Sequence, residues 1–341
     1  MQGMLFLGDK RVELRDFPEP TPGPRQVVIK MKVAGVCGSD LRPYRSTPEA
    51  LGARAAIIGG HEPCGEVAEV GSEVRTLRPG DRVMVHHYSG CGTCEHCLSG
   101  WTQLCPNGMT LYGSQAHGAF SDYELVEDYM CVPMPDELSY EEGAACSCGT
   151  GTAYQALKRL AVSGRDTLAV FGQGPVGLSA TLLGAATGAR VIAIDPIPER
   201  RDLALQLGAS DVIDPTSTDP VETIHGMTRG KGADATFDAS GVGEVRTAAV
   251  RSTRVWGRSC FVGEGGSVTL EATSDIIHRQ VTIMGSWTFS TVVLKELGNY
   301  IVDRKIPLGS LITRRFPLEQ VDEALALFEG GAAGKFEIVW G

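Results

Sequence analysis

The stretch TLAVFGQGPVGLSA, residues 167–180, contains three glycines between a short apolar run and a segment rich in small residues. The apolar run predicts a strand, and the segment after the glycines predicts a helix. In such a unit Gly172 allows the tight turn, Gly174 lets the backbone approach a pyrophosphate, and Gly177 allows the helix to pack closely on the strand. The helix N-terminus then faces the phosphate charge, so the stretch predicts a dinucleotide-binding βαβ unit.

An acidic residue follows at the distance that this unit needs. Asp195 ends the next apolar strand, VIAID, 23 residues after Gly172. Its carboxylate would accept hydrogen bonds from ribose hydroxyls and repel a 2′-phosphate, which favours NAD over NADP. Arg200 and Arg201 argue the other way, because arginines accommodate that phosphate, although they also suit a solvated helix start. The predicted coenzyme contacts are Gly172, Gly174, Pro175, Val176, Gly177, Asp195 and Arg200.

Strands and helices alternate from about Arg165 to residue 294. The strands are TLAVFG, RVIAID, SDVID, ATFDAS, RSCFVG and QVTIMG. This alternation predicts an α/β fold with a doubly wound parallel sheet. Before residue 160, alternating runs such as VVIKMKV and Pro-Gly turns predict a second, β-rich domain. Near the C-terminus, LEQVDEALALFEGG predicts a helix and KFEIVW a last strand.

Composition excludes several classes of partner. The chain has 341 residues, a formal net charge of −10 and 43% hydrophobic residues. The acidic balance argues against nucleic acid or an anionic membrane as a partner, and no apolar run approaches the roughly 20 residues of a spanning helix. The N-terminal residues lack a basic stretch followed by a long apolar segment, so we expect a cytoplasmic protein. Its ten cysteines are then metal ligands and buried thiols rather than disulfides.

Four cysteines lie close together in GCGTCEHCLSGWTQLC, residues 90–105. Their short spacings let one loop wrap a tetrahedral zinc ion with four thiolates. Buried free thiols and an iron–sulfur cluster are alternatives, but this density favours metal, and iron–sulfur runs are spaced differently. Four protein ligands leave no position for substrate, so this zinc is expected to be structural. The predicted ligands are Cys91, Cys94, Cys97 and Cys105.

An active zinc keeps three protein ligands and one exchangeable position. Cys37 follows a predicted strand in AGVCGSDL, His61 follows two glycines in GGHEPCG, and Cys148 precedes a Gly- and Thr-rich turn in ACSCGTGTAYQAL. Taken singly, a cysteine is more often a small buried hydrophobe and a histidine a satisfied polar residue. Spacing alone does not join the three.

The chain resembles the zinc-dependent alcohol and polyol dehydrogenases of the medium-chain dehydrogenase/reductase superfamily along nearly its whole length. The most specific part is the signature Gly60-His61-Glu62-x-x-Gly65-x5-Gly71-x-x-Val74, supported by CGSD at residues 37–40, the cysteine loop and the glycine motif. The resemblance implies a GroES-like catalytic domain, residues 1–160 completed by 295–341, and a Rossmann coenzyme domain, residues 161–294. It also implies hydride transfer between NAD and the carbinol or carbonyl carbon of an alcohol, polyol or sugar-like substrate.

The ligands of the catalytic zinc are also implied by this resemblance. They are Cys37, His61 and Cys148, with Glu62 beside the metal as an alternate ligand. Cys148 is chosen over Cys146 because the family's Thr and Tyr follow the ligand at the offsets of Thr152 and Tyr154. The sorbitol-type branch often has glutamate at this position, so a cysteine favours the alcohol dehydrogenase branch.

By the same resemblance, Ser39 accepts the proton of the substrate alcohol and Asp40 orients His61. A carboxylate in that role fixes the ring tautomer, while both residues also suit the cap of a helix starting near Leu41. Alcohol dehydrogenases often end the proton relay with a histidine where this chain has Arg42, which cannot shuttle a proton at neutral pH. The relay then runs through water and the cofactor ribose or through another group, and Arg42 is free to contact a polar substrate or cofactor.

Pocket and interface residues are harder to rank. Tyr44, Tyr112 and Trp287 are candidate pocket residues, and Trp287 and Phe289 suit either a wall near the nicotinamide or subunit interface or ordinary core packing. The resemblance implies a homodimer or homotetramer. A zinc-free enone or quinone reductase on the same fold, or a non-enzymatic binding protein, are the alternatives. The presence of every ligand and glycine counts against both.

Overall fold

The structure is a computed structural model that describes residues 1–341. The strands are β1 (Gln2–Gly8), β2 (Arg11–Asp16), β3 (Gln26–Val36), β4 (Pro63–Val70), β5 (Arg82–Val85), β6 (Tyr88–Ser89), β7 (Thr110–Leu111), β8 (Tyr123–Glu127), β9 (Cys131–Pro133), β10 (Thr167–Phe171), β11 (Arg190–Ile194), β12 (Asp211–Ile213), β13 (Ala233–Asp238), β14 (Thr253–Phe261), β15 (Thr282–Gly285), β16 (Ile312–Phe316) and β17 (Lys335–Val339). The α-helices are α1 (Leu41–Arg45), α2 (Pro48–Leu51), α3 (Glu95–Leu98), α4 (Tyr140–Ala145), α5 (Gly151–Leu160), α6 (Pro175–Ala186), α7 (Pro198–Gln206), α8 (Pro220–Met227), α9 (Gly243–Ser252), α10 (Thr291–Arg304) and α11 (Val321–Glu329).

One compact unit comprises residues 152–288 and 332–334. Its six strands lie in the order β12-β11-β10-β13-β14-β15, and every neighbouring pair is parallel. The chain moves outward from β10 to β12 and then crosses to β13, so the order reverses between β10 and β13. In doubly wound sheets, ligands bind beyond the carboxyl ends of the strands at such a switch point.

The central strands of this sheet are apolar on both faces. Residues 168–171 of β10 and 191–194 of β11 are all buried. Strands covered by helices on both sides read as continuous hydrophobic runs rather than alternating ones. The predicted α/β fold with a doubly wound parallel sheet is therefore confirmed.

The second compact unit comprises residues 1–151, 289–331 and 335–341. Its main sheet has the order β16-β17-β3-β4-β5-β9, with β8 also pairing β3. The long strand β3 pairs antiparallel with β4 in a register that sets Ala34 opposite Pro63. It also pairs with the last strand, where Gly35 lies opposite Glu337. This register brings the ends of three distant segments to one place in the unit.

The limits predicted for the domains, 160/161 and 294/295, stay a prediction, because compactness is a different criterion from independent folding. None of the eleven α-helices combines the length and the apolar character that crossing a membrane requires.

Candidate active site

Four side chains from three segments meet in the unit that contains β3. Cys37 follows β3, His61 and Glu62 precede β4, and Cys148 lies on a π-helical turn, Cys146–Thr150, that continues α4. Their ligand atoms all lie within 4.8 Å of one another. The structure therefore brings together the four residues predicted as ligands of the catalytic zinc, and Cys148 rather than Cys146 is the cysteine in the group.

The two thiols of this group shift each other's pKa in opposite directions. The hydrogen bond from Cys148 lowers the pKa of Cys37 well below its ordinary value, and His61 adds to the effect while burial opposes it. The same hydrogen bond, together with burial, raises the pKa of Cys148 well above its ordinary value. Cys37 is thus poised as a thiolate, which is the form of cysteine that binds a metal.

The ring of His61 is held by two side chains from the turn after β3. Nδ1 lies 3.0 Å from Oδ1 of Asp40, and Nε2 lies 3.0 Å from Oγ of Ser39. Because a carboxylate only accepts, Nδ1 donates to Asp40, so Nε2 is the ring nitrogen that can bind a metal once it has lost its proton. Burial lowers the pKa of His61, but Asp40 and Cys37 outweigh it and the pKa lies above its ordinary value.

Asp40 also contacts the backbone of a ligand. Its Oδ2 accepts a hydrogen bond of 2.8 Å from the amide of Cys37, which closes the short helical turn Gly38–Asp40. The Asp40 side chain makes no capping hydrogen bond to α1, which begins at Leu41. It caps the preceding short helical turn instead, through the amide of Cys37. One carboxylate therefore fixes two of the candidate ligands.

Glu62 is buried and forms an ion pair with Lys335 of β17. Burial raises the pKa of Glu62 to about 7, against the attraction of Lys335. Nζ of Lys335 also donates to the carbonyl of Val36, at 2.9 Å. Oε1 of Glu62 has no hydrogen-bond partner. Sequence reasoning missed Lys335, and the only signal for it was a charged residue at the start of the otherwise buried strand KFEIVW.

Zinc fits the chemistry of this group. Thiolate, imidazole and carboxylate are its usual protein donors, and three of them with one exchangeable position form a catalytic site. The unpartnered Oε1 of Glu62, inside the protein and within the group, is a further donor that a metal would satisfy.

The second group consists of the four cysteines of the 90–105 loop, whose sulfurs lie within 4.8 Å of one another. The amide of Cys97 donates to Sγ of Cys94 at 3.5 Å, and the amide of Cys91 to Sγ of Cys105 at 3.4 Å. Hydrogen bonds from Thr93 lower the pKa of Cys91 to about 5. Backbone donors to sulfur favour thiolates, so this loop also fits a zinc ion, with no position left for substrate.

The glycine loop has the geometry that its sequence predicts. Gly172 has φ +88°, in the left-handed region that favours glycine. A Cβ on Gly177 would lie 1.8 Å from the carbonyl oxygen of Gly172, so only glycine permits this contact between helix and turn. A Cβ on Gly174 would meet nothing within 4 Å. That open space at the start of α6, beside Pro175 and Val176, fits a pyrophosphate.

Asp195 is buried at the end of β11. Its Oδ2 accepts from the amide of Gln173 at 2.7 Å, and its Oδ1 from the amide of Ile197 at 2.9 Å. Arg200 approaches Oδ2 at 3.9 Å, whereas Arg201 is tied to Asp214 at 3.1 Å and is not free for a phosphate. Both arginines thus lie beside carboxylates, and their presence gives little support to NADP as the coenzyme.

The predicted pocket residues have different surroundings. Tyr44 is buried, and burial with the nearby Glu329 raises its pKa. The hydroxyl of Tyr112 donates to Glu127 at 2.6 Å. Phe289 is fully buried and belongs to the core, while Trp287 is 37% exposed.

Trp287 donates through Nε1 to Glu264 at 2.7 Å. Two further buried residues, His86 and His87, directly follow β5 and were missed. The sequence signal that could have revealed them is a pair of polar residues directly after an apolar strand.

Comparison with known proteins agrees with this geometry. Residues 23–136 match the family described as alcohol dehydrogenase GroES-like domain, and residues 175–301 match the zinc-binding dehydrogenase family. The chain is 41% identical to the uncharacterized zinc-type alcohol dehydrogenase-like protein YphC of Escherichia coli (strain K12), over 97% of this chain and 96% of that one. It is 32% identical to sorbitol dehydrogenase of Bombyx mori, over 97% and 96% of the two chains.

Among solved structures, alcohol dehydrogenase TADH from Thermus sp. ATN1 superposes with a TM-score of 0.91 at 26% identity, covering 99% of each chain. The NAD-dependent alcohol dehydrogenase of Sulfurisphaera tokodaii is 31% identical, over 93% of this chain and 92% of that one. The predicted use of zinc and NAD, and the predicted enzyme class, are confirmed by these matches. The chain belongs to the zinc-dependent alcohol and polyol dehydrogenases of the medium-chain dehydrogenase/reductase superfamily.

Proposed function

We propose that Cys37, His61 and Cys148 hold the catalytic zinc of this NAD-dependent dehydrogenase, with Glu62 beside it as an alternate ligand. We also propose that the 90–105 loop holds a structural zinc. The convergence of four ligand atoms from three distant segments within 4.8 Å carries the proposal. Zinc supplies Lewis acidity, which lowers the pKa of a substrate hydroxyl and polarises a carbonyl in the reverse direction.

The protein's own residues supply positioning and proton transfer. Asp40 holds the His61 ring through Nδ1 and the Cys37 backbone through its amide. Ser39, which lies 3.0 Å from the same ring, would accept the proton of the substrate hydroxyl at Oγ and release its own hydroxyl proton to water. Arg42 stays charged and does not continue this relay. NAD, when bound, would supply the nicotinamide that accepts the hydride from the carbinol carbon.

The coenzyme site is proposed at the glycine loop. Backbone at Gly172 and Gly174 would receive the pyrophosphate, and Gly177 allows α6 to approach. Asp195 would accept hydrogen bonds from the adenosine ribose hydroxyls, and Arg200, which lies beside it, would contact the same part of the coenzyme. The open space at Gly174 supports this assignment.

The substrate is a small alcohol or polyol, or the corresponding carbonyl compound. We infer that a polyol is the physiological substrate, with support from sorbitol dehydrogenase at 32% identity. A homodimer or homotetramer is proposed because β15 is the edge strand of its sheet, with a partner on one side, and sedimentation velocity would measure it. A cytoplasmic location is supported by ten free cysteines, since reducing compartments keep thiols free.

Metal stoichiometry and turnover test the zinc assignments together. The two ligand groups predict two zinc ions per chain in the wild type. Cys37→Ser should lose one zinc and all turnover while NADH binding, measured by fluorescence titration, persists. Cys94→Ser should lose the other zinc and much of its thermal stability. Cys146→Ala, a buried thiol outside both groups, is the control and should keep both ions and activity. A Cys37→Ser protein that still reduces NAD with alcohols would refute the site.

A further inference from the structure

His87 lies against one candidate zinc ligand, His61, and contacts the residue that precedes another, Cys148. Its ring centroid is 5.1 Å from that of His61, at an interplanar angle of 64°. Its Nδ1 lies 3.1 Å from the carbonyl oxygen of Ser147, the residue before Cys148. The side chain is almost fully buried, at 1% exposure. His87 therefore borders the place where the reacting group of the substrate must sit.

The contact with Ser147 determines whether Nε2, the other ring nitrogen of His87, donates or accepts a hydrogen bond. A carbonyl oxygen only accepts, so Nδ1 of His87 carries the hydrogen. No carboxylate lies within ion-pair distance of the ring, and in an imidazole that donates through Nδ1 the other nitrogen is the acceptor. Nε2 is then a lone-pair acceptor. It has no hydrogen-bond partner within the protein, since the bond to Ser147 is the only hydrogen bond of the ring.

The neighbouring histidine shows the contrasting case. Nε2 of His86 lies 2.9 Å from the carbonyl of Phe289, and Nδ1 lies 3.3 Å from the carbonyl of Tyr88. Both ring nitrogens of His86 are engaged with the protein, so His86 holds the loop in place. Of this stacked pair, only His87 keeps an acceptor for another molecule.

We propose that Nε2 of His87 accepts a hydrogen bond from a second hydroxyl of the substrate, on the carbon next to the reacting carbinol, and so selects vicinal diols and polyols over simple alcohols. This inference rests on the proposed zinc site. An acceptor in a buried site is left unpaired by a substrate that lacks the donor, so such a substrate is bound less well in the transition state. A methylated hydroxyl fails for the same reason, because its oxygen can only accept.

A substrate series separates these cases. We would measure kcat/KM with NAD for cyclohexanol, the vicinal cyclohexanediol and the monomethyl ether of that diol. In the zinc-loaded wild type, the diol should be preferred over both others by about tenfold or more. His87→Asn keeps an amide donor near Nδ1 but lacks an acceptor at Nε2, and it should reduce the preference to within about threefold. His87→Gln, whose amide oxygen can reach the Nε2 position, should retain part of it.

Zinc content, NADH affinity and thermal unfolding of each variant show whether the site is intact. A wild type that oxidises all three compounds equally, or an Asn variant that keeps the full preference for the diol, would overturn the role of His87 while leaving the proposed function in place. A preference for the methyl ether would also overturn it, because Nε2 would then be a donor. If the zinc-loaded wild type oxidises none of the three, nor any alditol, the proposed function itself fails and the inference fails with it.

Discussion

Lys335 and Glu62 form a buried ion pair between the last strand of the chain and the turn that carries His61. Lys335 is 3% exposed and Glu62 is fully buried. The pair joins residues that are far apart in the sequence and places a cation next to a candidate metal ligand. A buried charge without its partner destabilises the folded state, so each member of this pair depends on the other.

Removing the lysine should show how much the Lys335–Glu62 ion pair contributes to the stability of the fold. Lys335→Met should destabilise the zinc-free protein by about 3–5 kcal/mol, because Glu62 is left buried without its partner. Adding Glu62→Gln in the same chain should restore most of the loss. Urea unfolding of both variants, with the exposed Lys30→Met as control, measures the coupling. A Lys335→Met protein as stable as the wild type would show that the pair contributes nothing.

Asp40 should act on activity through His61 rather than through contact with substrate. Asp40→Asn replaces the carboxylate at Nδ1 of His61 with a weaker partner, so zinc affinity and kcat/KM should fall about 10–100-fold. Competition with a chelator gives the affinity, and initial rates at saturating zinc give the catalytic part. Asp81→Asn, at a surface ion pair with Arg78, is the matched control. If zinc affinity is unchanged in Asp40→Asn, the carboxylate does not act through His61, and its role is limited to the hydrogen bond with the amide of Cys37.

Asp195 should set the preference between the two coenzymes. Asp195→Asn removes the charge that would repel a 2′-phosphate and keeps an acceptor for a backbone amide. The ratio of kcat/KM for NAD to that for NADP should therefore fall about tenfold or more. Asp211→Asn, whose side chain pairs with Arg190 on the neighbouring strand, should leave the ratio unchanged. If the Asp195 variant also leaves it unchanged, another residue selects the coenzyme.

Glu124 on β8 should make stability depend on pH. It is 1% exposed, neither carboxylate oxygen has a hydrogen-bond partner, and burial raises its pKa to about 8. Between the unfolded pKa, about 4.3, and the folded value the native state binds more protons than the unfolded one. This group's contribution to stability is therefore full below that range and is lost as the pH rises towards 8.

Glu124→Gln should remove the stability loss that the wild type shows as the pH rises. The variant should gain stability relative to the wild type as the pH rises from 5 to 8, on the order of 3–4 kcal/mol, with little further gain above 8. Urea unfolding at several pH values measures it, and Glu69→Gln, an exposed glutamate on β4, should show no such trend. A constant difference across the range would mean that Glu124 is ionised in the native state or has a partner.

The local features of this protein follow from its sequence. The turn at Gly172, the close contact at Gly177 and the open space at Gly174 lie within one strand–turn–helix unit. The four cysteines of the 90–105 loop likewise need only short-range chain geometry to surround one ion. In both cases the residues are close in sequence, so backbone sterics and ligand spacing determine the structure without help from the rest of the chain.

The catalytic group is different, because its members are brought together by strand register. Ala34 lies opposite Pro63 in the β3–β4 pair, and this sets Cys37 beside His61. The π-helical turn then supplies Cys148 instead of Cys146. The partner of Glu62 and the free acceptor of His87 come from β17 and from the end of β5. Cooperative packing of distant strands decides these contacts, and sequence spacing carries no information about them, so only the tertiary structure reveals them.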